Sequence, residues 1–378
     1  MTMQSDCSYI KSLYVTCNIL GFLPPHNLGT NPLPVSLRFK IYTLCHIFLS
    51  IFVFFYSSFG RETYLYDSYD PTVGITDKIA NVTLSLLSVV LRVFFVFWNG
   101  KSLKEFLNRA YEISKKEEFK CFSPRYFNLQ FIGFNCYMVL IIGFDGWVWN
   151  STVGFRIFRY YVGRSVMYYA SNTVVFFVSH SALIIKRLFV SLNLLLEDEL
   201  GKILGCKKPE LRKIRIYYNQ ICGLCDNFNK IFGFVILSVI IFTISYILNL
   251  TDLLLVYAVR KKEIKGFTYG NDLIVLSILW MLTLLIFSFF LAHSCAKAVS
   301  ETDQITTICF NYLNKISTVP KNYEEFVLKE EINLLLRQVT IRRPKFSAAG
   351  FFPVDFTLLG FILASVTSYI IVSIQFIQ

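Results

Sequence analysis

The 378-residue chain is 54% hydrophobic and only 16% charged, with a mean hydropathy of +0.52. Those values lie far from the soluble average and exclude an ordinary globular domain. The net charge of +12 is spread through short Lys/Arg clusters between apolar runs, a pattern that suits anionic lipid headgroups and not nucleic acid.

The N-terminal stretch from Tyr14 to Leu23 is apolar and stops at Pro24-Pro25. It lacks the basic flank and small-residue site of a cleaved leader, so it reads as a short interfacial helix, with the first membrane span as the inserting signal. Runs of about 20 apolar residues predict seven spans, at 39–59, 80–98, 127–149, 165–185, 231–257, 273–296 and 350–376. The fold class is therefore all-α and polytopic. The acidic stretch Glu62, Asp67, Asp70 and Asp77 falls between the first two spans. Arg92 lies inside the second, where a central Arg costs ~2.5–3.5 kcal/mol on a translocon scale. It needs a partner; Asp145 on the third span is a plausible one, and such a pair would serve helix packing as well as ligand binding.

Polar and aromatic residues cluster at helical spacing within the second to sixth spans. Asp145 and Trp149 are four apart with Trp147 beside them; Arg164, Tyr168 and Asn172 follow at i, i+4 and i+8; Tyr246, Asn249 and Asp252 share one end of the fifth span; Trp280 sits in the sixth. A cavity among these helices would pair flat aromatic walls with a few directional polar groups, which suits small organic ligands. Arg92, Asp145, Trp149, Tyr168, Asn172, Tyr246, Asn249, Asp252 and Trp280 are its candidate residues. For Trp147 and Trp149 a place in the interfacial aromatic belt is an equal alternative.

Between the spans, Leu188–Leu200 continues in helical composition, Lys207-Lys208-Pro209 breaks it, and Glu210–Asn229 reads as helix feeding straight into the fifth span. Tyr323–Arg342 is another helix, with Ile332, Leu335, Leu336 and Val339 on one stripe. The expected divisions are an N-terminal segment (1–38), spans one to four (39–185), projecting helices (186–230), spans five and six (231–296), a further helix (297–349) and the last span (350–378).

Seven spans put the termini on opposite sides. Sequons at Asn81, Asn150 and Asn249 fall near one membrane face, which would then be extracellular and carry the glycosylation. The N-terminus would be cytosolic. The ten cysteines avoid the loops assigned outside, the distribution of unpaired thiols. Cys222-Gly223-Leu224-Cys225 is the one CxxC, and with no second pair it reads as packing, not metal binding. His180 and His293 are too isolated to be metal ligands. No cofactor or metal is expected.

The last span carries a single amide near its end. An unpaired amide in hydrocarbon is costly, so Gln375 should face protein or water. The pattern Ser368-Tyr369, five residues, Gln375-Phe376, approached by Arg342, Pro344, Gly350, Phe351 and Asp355, resembles the signature of the last helix of insect gustatory receptors. Ser368 stands where Thr is usual, and Ser373 interrupts the apolar run. The resemblance implies a homotetramer, working alone or with other receptor subunits, in the plasma membrane of sensory dendrites. A pore would be lined by the seventh helix, with Val372, Gln375 and Phe376 at its gate, and the projecting ends of helices four, five and seven would form a cytosolic anchor region. A tastant such as a sugar or bitter compound would open it to cations. An odorant-receptor-type channel has the same architecture and stays open as an alternative. A G-protein-coupled receptor fits less well, lacking Asp-Arg-Tyr after the third span and Asn-Pro-x-x-Tyr in the last, and no HExxH or GxSxG marks a membrane enzyme.

Overall fold

A computed structural model describes residues 11–26, 29, 34–66, 71–119, 124–201, 210–260, 271–315 and 323–377. In chain order the helices are α1 (Lys11–Ile19), α2 (Leu37–Tyr64), α3 (Pro71–Arg92), α4 (Gly100–Ser114), α5 (Pro124–Val153), α6 (Phe155–Phe158), α7 (Val162–Gly201), α8 (Leu211–Arg260), α9 (Asn271–Leu313), α10 (Tyr323–Ile341) and α11 (Thr357–Ile377). Seven of them, α2, α3, α5, α7, α8, α9 and α11, are long and apolar enough to cross a membrane. The chain is a mostly helical, multi-pass membrane protein. Helix α7 lies at the centre, packed on α8 and α9, and is the most buried of the seven.

Helices α7, α8 and α9 have 40, 50 and 43 residues, so at 1.5 Å per residue they are about 60, 75 and 65 Å long, twice the hydrocarbon thickness. Each leaves the membrane as a continuous rod. The sequence reading ended the sixth span at 296 and gave the projections to helices four, five and seven; the sixth projects as well. Beyond 296 the buried stripe of α9 runs through Ala298, Glu301, Thr302, Ile305 and Cys309. It keeps helical spacing but is built from small and polar residues, so the apolar run stops while the helix does not. Helix α10 buries the predicted stripe of Ile332, Leu335, Leu336 and Val339.

The seventh span begins at Thr357 and not at residue 350. Strand β1 (Ser347–Ala348) pairs antiparallel with β2 (Phe352–Pro353), and Ala349 and Gly350 turn the hairpin at φ of 53° and 82°, the positive values of a type I′ turn. Asp355 then caps α11, its Oδ1 accepting from the Thr357 amide at 2.8 Å and hydroxyl at 2.6 Å. The hairpin is pinned to α8. Asn229 donates to the Lys345 carbonyl (2.6 Å) and accepts from the Ser347 amide (2.9 Å), and the Phe346 ring meets Phe228 edge-on at 5.0 Å.

Two further features concern the first hundred residues. The predicted interfacial helix forms, as α1, and packs by one side: Leu13 and Cys17 are fully buried, as are Phe22 and Leu23 just after it, and Tyr14 meets Phe177 of α7 edge-on, whereas Val15 and Ile19 are exposed. After α3 the chain makes a π-helical turn (Val93–Trp98) and then the amphipathic α4, which buries Leu103, Phe106, Leu107, Ala110 and Ile113. The described cysteines are free thiols, and no group of His, Cys, Asp and Glu fit for a metal occurs among the described residues. Cys7, Cys121, Cys206, Asp67, Asp70 and Lys207–Pro209 lie outside them.

A Cβ built on Gly233 of α8 would stand 2.9 Å from the Ala349 amide nitrogen, a backbone atom that cannot swing aside. Gly233→Ala is expected to lower stability by about 1–3 kcal/mol through overpacking. Thermal unfolding of the detergent-solubilised protein checks this; an unchanged midpoint would remove the hairpin from close contact with α8.

Candidate ligand cavity and pore helix

Where α3, α7 and α9 begin and α5 and α8 end, their polar residues converge on one cavity of about 40 Å³. Asp77 of α3, Asp145 and Trp149 of α5, Tyr161 in the turn before α7, Arg164, Ser165 and Tyr168 of α7, Tyr246 and Asn249 of α8, and Ser277 and Trp280 of α9 line it. The walls are mainly aromatic. The Tyr168 ring lies 4.9 Å from Tyr246 and 5.1 Å from Trp280, and Trp149 stacks on Tyr161 at 4.6 Å and 14°.

The polar groups are held by one another. Trp280 Nε1 donates to Asp145 Oδ1 at 3.0 Å. Arg164 Nε donates to the Tyr168 hydroxyl (2.8 Å), its Nη1 pairs with Asp77 Oδ1 (3.0 Å), and its guanidinium sits 5.3 and 5.2 Å from the Tyr168 and Tyr246 rings. Asp77 is shared: its Oδ2 takes Arg61 Nη1 at 2.8 Å and the Tyr66 hydroxyl at 3.0 Å. Burial, reinforced by the Asp77 charge, pushes the Tyr66 hydroxyl up, which keeps it a donor. Arg61 is fully buried over the Tyr161 ring at 4.6 Å, and its Nε and Nη2 have no hydrogen-bond partner among the described residues.

One carboxylate therefore serves two guanidiniums and binds the ends of α2, α3 and α7 together. The sequence reading left this cluster in a loop, because the first span was ended at 59 and the second begun at 80. The signals available were Pro71, a favoured first helical residue, and the helical spacing of Val73, Thr76, Asp77 and Ala80 on the buried face of α3.

Of the nine candidates, Asp145, Trp149, Tyr168, Tyr246, Asn249 and Trp280 line the cavity, and three do not. Arg92 is at the other end of α3 and does not pair with Asp145. It donates to the hydroxyl and carbonyl of Ser88, to Ser50 Oγ and to the Leu20 carbonyl, with its guanidinium 4.2 Å from the Phe22 ring. Buried backbone and hydroxyl acceptors from α2, α3 and the segment after α1 replace the expected carboxylate. Asn172, one turn past Tyr168, lines a separate space of about 10 Å³ with Ser171, Thr243, Ser288 and Leu358, roughly the room one water needs. Asp252, one turn past Asn249, accepts a 2.7 Å hydrogen bond from the Tyr369 hydroxyl of α11. Trp147 is exposed and stacks on Phe144, while its neighbour Trp149 faces inward.

The sequons also divide. Asn150 is exposed at the end of α5, but Asn81 is buried in α3 and donates to Ser58 Oγ at 3.0 Å, and Asn249 is buried and accepts from Thr76 at 3.4 Å. Burial within the bundle leaves no room for a glycan on either. On α11, Leu358, Ile362 and Val366 pack inward, whereas Val372 and Gln375, three residues apart on one helical face, are exposed. The Phe376 side chain lies outside the described residues.

A family profile described as 7tm chemosensory receptor matches residues 10–378. The chain belongs to the insect chemoreceptor family. It is a receptor, not an enzyme. Over 168 residues the receptor is 21% identical to a Drosophila melanogaster protein assigned as gustatory receptor 28a, a match covering 44% of this chain and 35% of that one. The receptor thus aligns with about a third of the length of that curated relative. Its fold is that of the insect olfactory receptor OR5 from Machilis hrabei, with a TM-score of 0.68 at 15% identity over 97% of this chain and 98% of that one. The structure of OR5 in complex with eugenol is similar to the same extent, with a TM-score of 0.67.

Asp77→Asn leaves Arg61 and Arg164 buried without their shared counter-charge. Breaking a buried pair costs about 3–5 kcal/mol, so the variant should lose most of its monodisperse peak in fluorescence-detected size exclusion. The double variant Arg61→Leu/Asp77→Asn, with one fewer buried cation, should recover part of it; equal loss in both would show that the cluster does not hold the helices together.

Proposed function

We propose that this chain is a gustatory receptor acting as a ligand-gated, weakly selective cation channel. A small organic ligand enters the aromatic cavity from outside the cell, and α11 lines the pore. The observation that carries the reading is that α8 serves both sites. Tyr246 and Asn249 line the cavity, while Asp252 on the next turn holds Tyr369 of α11 and Asn229 at the other end holds the hairpin before it. A ligand that moves α8 acts on α11 at two points. The complex of OR5 with eugenol supports a small molecule as the ligand, and the 21% match to gustatory receptor 28a supports taste over smell.

The cavity has Asp145 and Arg164 on different walls, each held by neutral donors or by Asp77, between faces of Tyr and Trp. Such a lining favours a neutral, flat or polyhydroxylated molecule, since a net charge would unbalance the two carboxylates and two guanidiniums of the cluster. A pore built from one helix per subunit needs symmetric copies around an axis. We therefore assign a tetramer, homomeric or shared with other receptor subunits, whose copies meet through the projecting ends of α7, α8 and α9 together with α10, with the N-terminus in the cytosol. The exposed Val372 and Gln375 would face the axis, where an apolar ring blocks ions by dewetting and the amide offers polar surface once the helices part. Placement in sensory dendrites follows from the same reading. The likeness to OR5 over 97% of the chain keeps an odorant-receptor-type channel as the second reading.

Whole-cell recording from cells expressing this chain alone, with sugars and bitter compounds applied outside and G-protein signalling blocked, tests the proposal. A rapid ligand-dependent cation current is expected; silence to the full panel despite surface expression, also with candidate partner subunits co-expressed, would overturn it. Trp280→Ala should raise the half-maximal ligand concentration at least tenfold, about 1.4 kcal/mol, with unitary conductance unchanged. Gln375→Ala should alter ion selectivity or basal current at normal surface expression, and unchanged permeation in that variant would take Gln375 out of the pore.

A further inference from the structure

About 35 Å along α8 from the cavity, counted from Tyr246 back to Gly223 at 1.5 Å per residue, the opposite end of the bundle carries a second and larger hollow. It is an open groove of about 450 Å³ between α4 and the start of α8, closed at one side by the residue that follows α10. Arg109, Lys116 and Arg342 line it against a single carboxylate, Glu112, with Asn219, Gln220 and Gly223 as the remaining polar and floor positions. The volume falls within the roughly 300–1,000 Å³ of small-molecule sites. No part of the proposed gating mechanism uses it.

Three features set this groove apart from a solvated basic surface. The cations are fixed unevenly: Arg342 bonds Asn219 and pairs with Asp226 at 3.0 Å, and Lys116 lies over the Tyr217 ring at 4.3 Å with Gln220 Oε1 at 3.4 Å. Arg109, in contrast, is exposed and makes no hydrogen bond or ion pair among the described residues, so its five donors are open to a ligand. The floor is a glycine in the interior of a 50-residue helix, where Ala would be favoured by roughly 0.5–1 kcal/mol. Among the described residues a Cβ built on Gly223 meets nothing within 4 Å, so none of them requires the small residue and the space above it is open to a ligand. A neighbouring hollow of about 340 Å³, which shares Asn219, adds Arg212, likewise unpaired among the described residues.

The position along α8 selects the ligand. The apolar run of α8 begins near residue 231, eight residues after Gly223, which places the groove about 12 Å beyond the hydrocarbon edge. The headgroup layer is about 5–7 Å deep per leaflet. A simple phosphodiester headgroup ends short of the groove, whereas a headgroup that carries further phosphates outward reaches it.

We propose that this groove binds a polyphosphorylated headgroup of the inositol phosphate class, with Arg109, Lys116 and Arg342 on its phosphates and Gly223 leaving room for its ring. The binding is non-covalent, and fork-shaped guanidiniums match phosphate oxygens two at a time. The site would tie the state of α8, and through it α11, to the anionic lipid of the membrane in which the receptor sits.

The test uses the full chain purified in a mild neutral detergent, with the thermal unfolding midpoint read against added short-chain phosphatidylinositol bisphosphate, short-chain phosphatidylserine, or soluble inositol trisphosphate. The bisphosphate lipid should raise the midpoint saturably and phosphatidylserine should not. Arg109→Glu and Gly223→Glu should each weaken the bisphosphate effect at least tenfold, and Lys297→Glu, an equal charge change on α9 away from the groove, should leave it intact. Comparable shifts with inositol trisphosphate would support the site with a soluble phosphate as its ligand; a response confined to the lipid would support a membrane source. The proposal is overturned if phosphatidylserine acts equally, if Lys297→Glu weakens binding as much as Arg109→Glu, or if both groove variants, with unliganded midpoints equal to that of the parent, retain the parental response. Should either groove variant unfold at a lower temperature without ligand, Arg109→Gln, which removes the charge and keeps a polar side chain, replaces it under the same criteria.

Discussion

A guanidinium cannot be left without acceptors inside a bundle that lipid surrounds, and three are buried among the described residues of this receptor. Arg61, Arg92 and Arg164 are each at most 6% exposed. The chain solves the problem in two ways. At one end it spends a carboxylate on two cations, so that Asp77 joins α2, α3 and α7 and positions Arg164 in the cavity wall. At the other it gives Arg92 only neutral acceptors, two of them serine hydroxyls and one the carbonyl of Leu20, which draws the segment after α1 into the bundle. The stretch from α1 to Leu23 is thus packed into the membrane domain. Both solutions fix helices that the hydrophobic effect alone would leave free to slide, because lipid tails are as apolar as the side chains between helices.

Helix α8 connects the places where those constraints matter. Its 50 residues pass the basic groove, the pinned hairpin, the aromatic cavity and the bond to Tyr369 in one uninterrupted rod. A continuous helix can carry a displacement from one of these points to another, since its backbone hydrogen bonds are internal. Coupling through α8 therefore requires no wire of side chains, only that two ligands prefer different positions of the same rod.

The chemistry of the spans was legible in the sequence because membrane helices advertise themselves by composition, and because a polar residue in an apolar run has few innocuous explanations. That is how Asp145, Tyr168, Tyr246 and Trp280 could be grouped before any coordinates. The same logic failed where hydropathy and helicity part company. Glu301, Thr302 and Cys309 continue α9 without being apolar, and Arg61 and Asp77 extend α2 and α3 inward past the apolar runs, so span limits drawn by hydropathy stopped short in both cases. The partner of Arg92 was misassigned for a different reason. A search for charge complements overlooks backbone carbonyls, which every residue has and no sequence marks.

The cavity itself argues for a moving receptor. With about 40 Å³ of free space it holds only a few waters, far below the volume of an organic ligand. Any ligand that enters must part some of the rings that line it, and one of them, Tyr246, is on α8. The aromatic contacts given up on opening, worth about 0.5–1.5 kcal/mol per ring pair beyond burial, are recovered only by a ligand that stacks in their place. A molecule that fits without displacing Tyr246 would bind and leave α8 where it was, because a ligand shifts an equilibrium only by its differential affinity for the two states. Selectivity for opening and selectivity for binding are in that case set by different rings of one cavity: Trp149 and Tyr161 by contact with the ligand, Tyr246 by whether the ligand moves it.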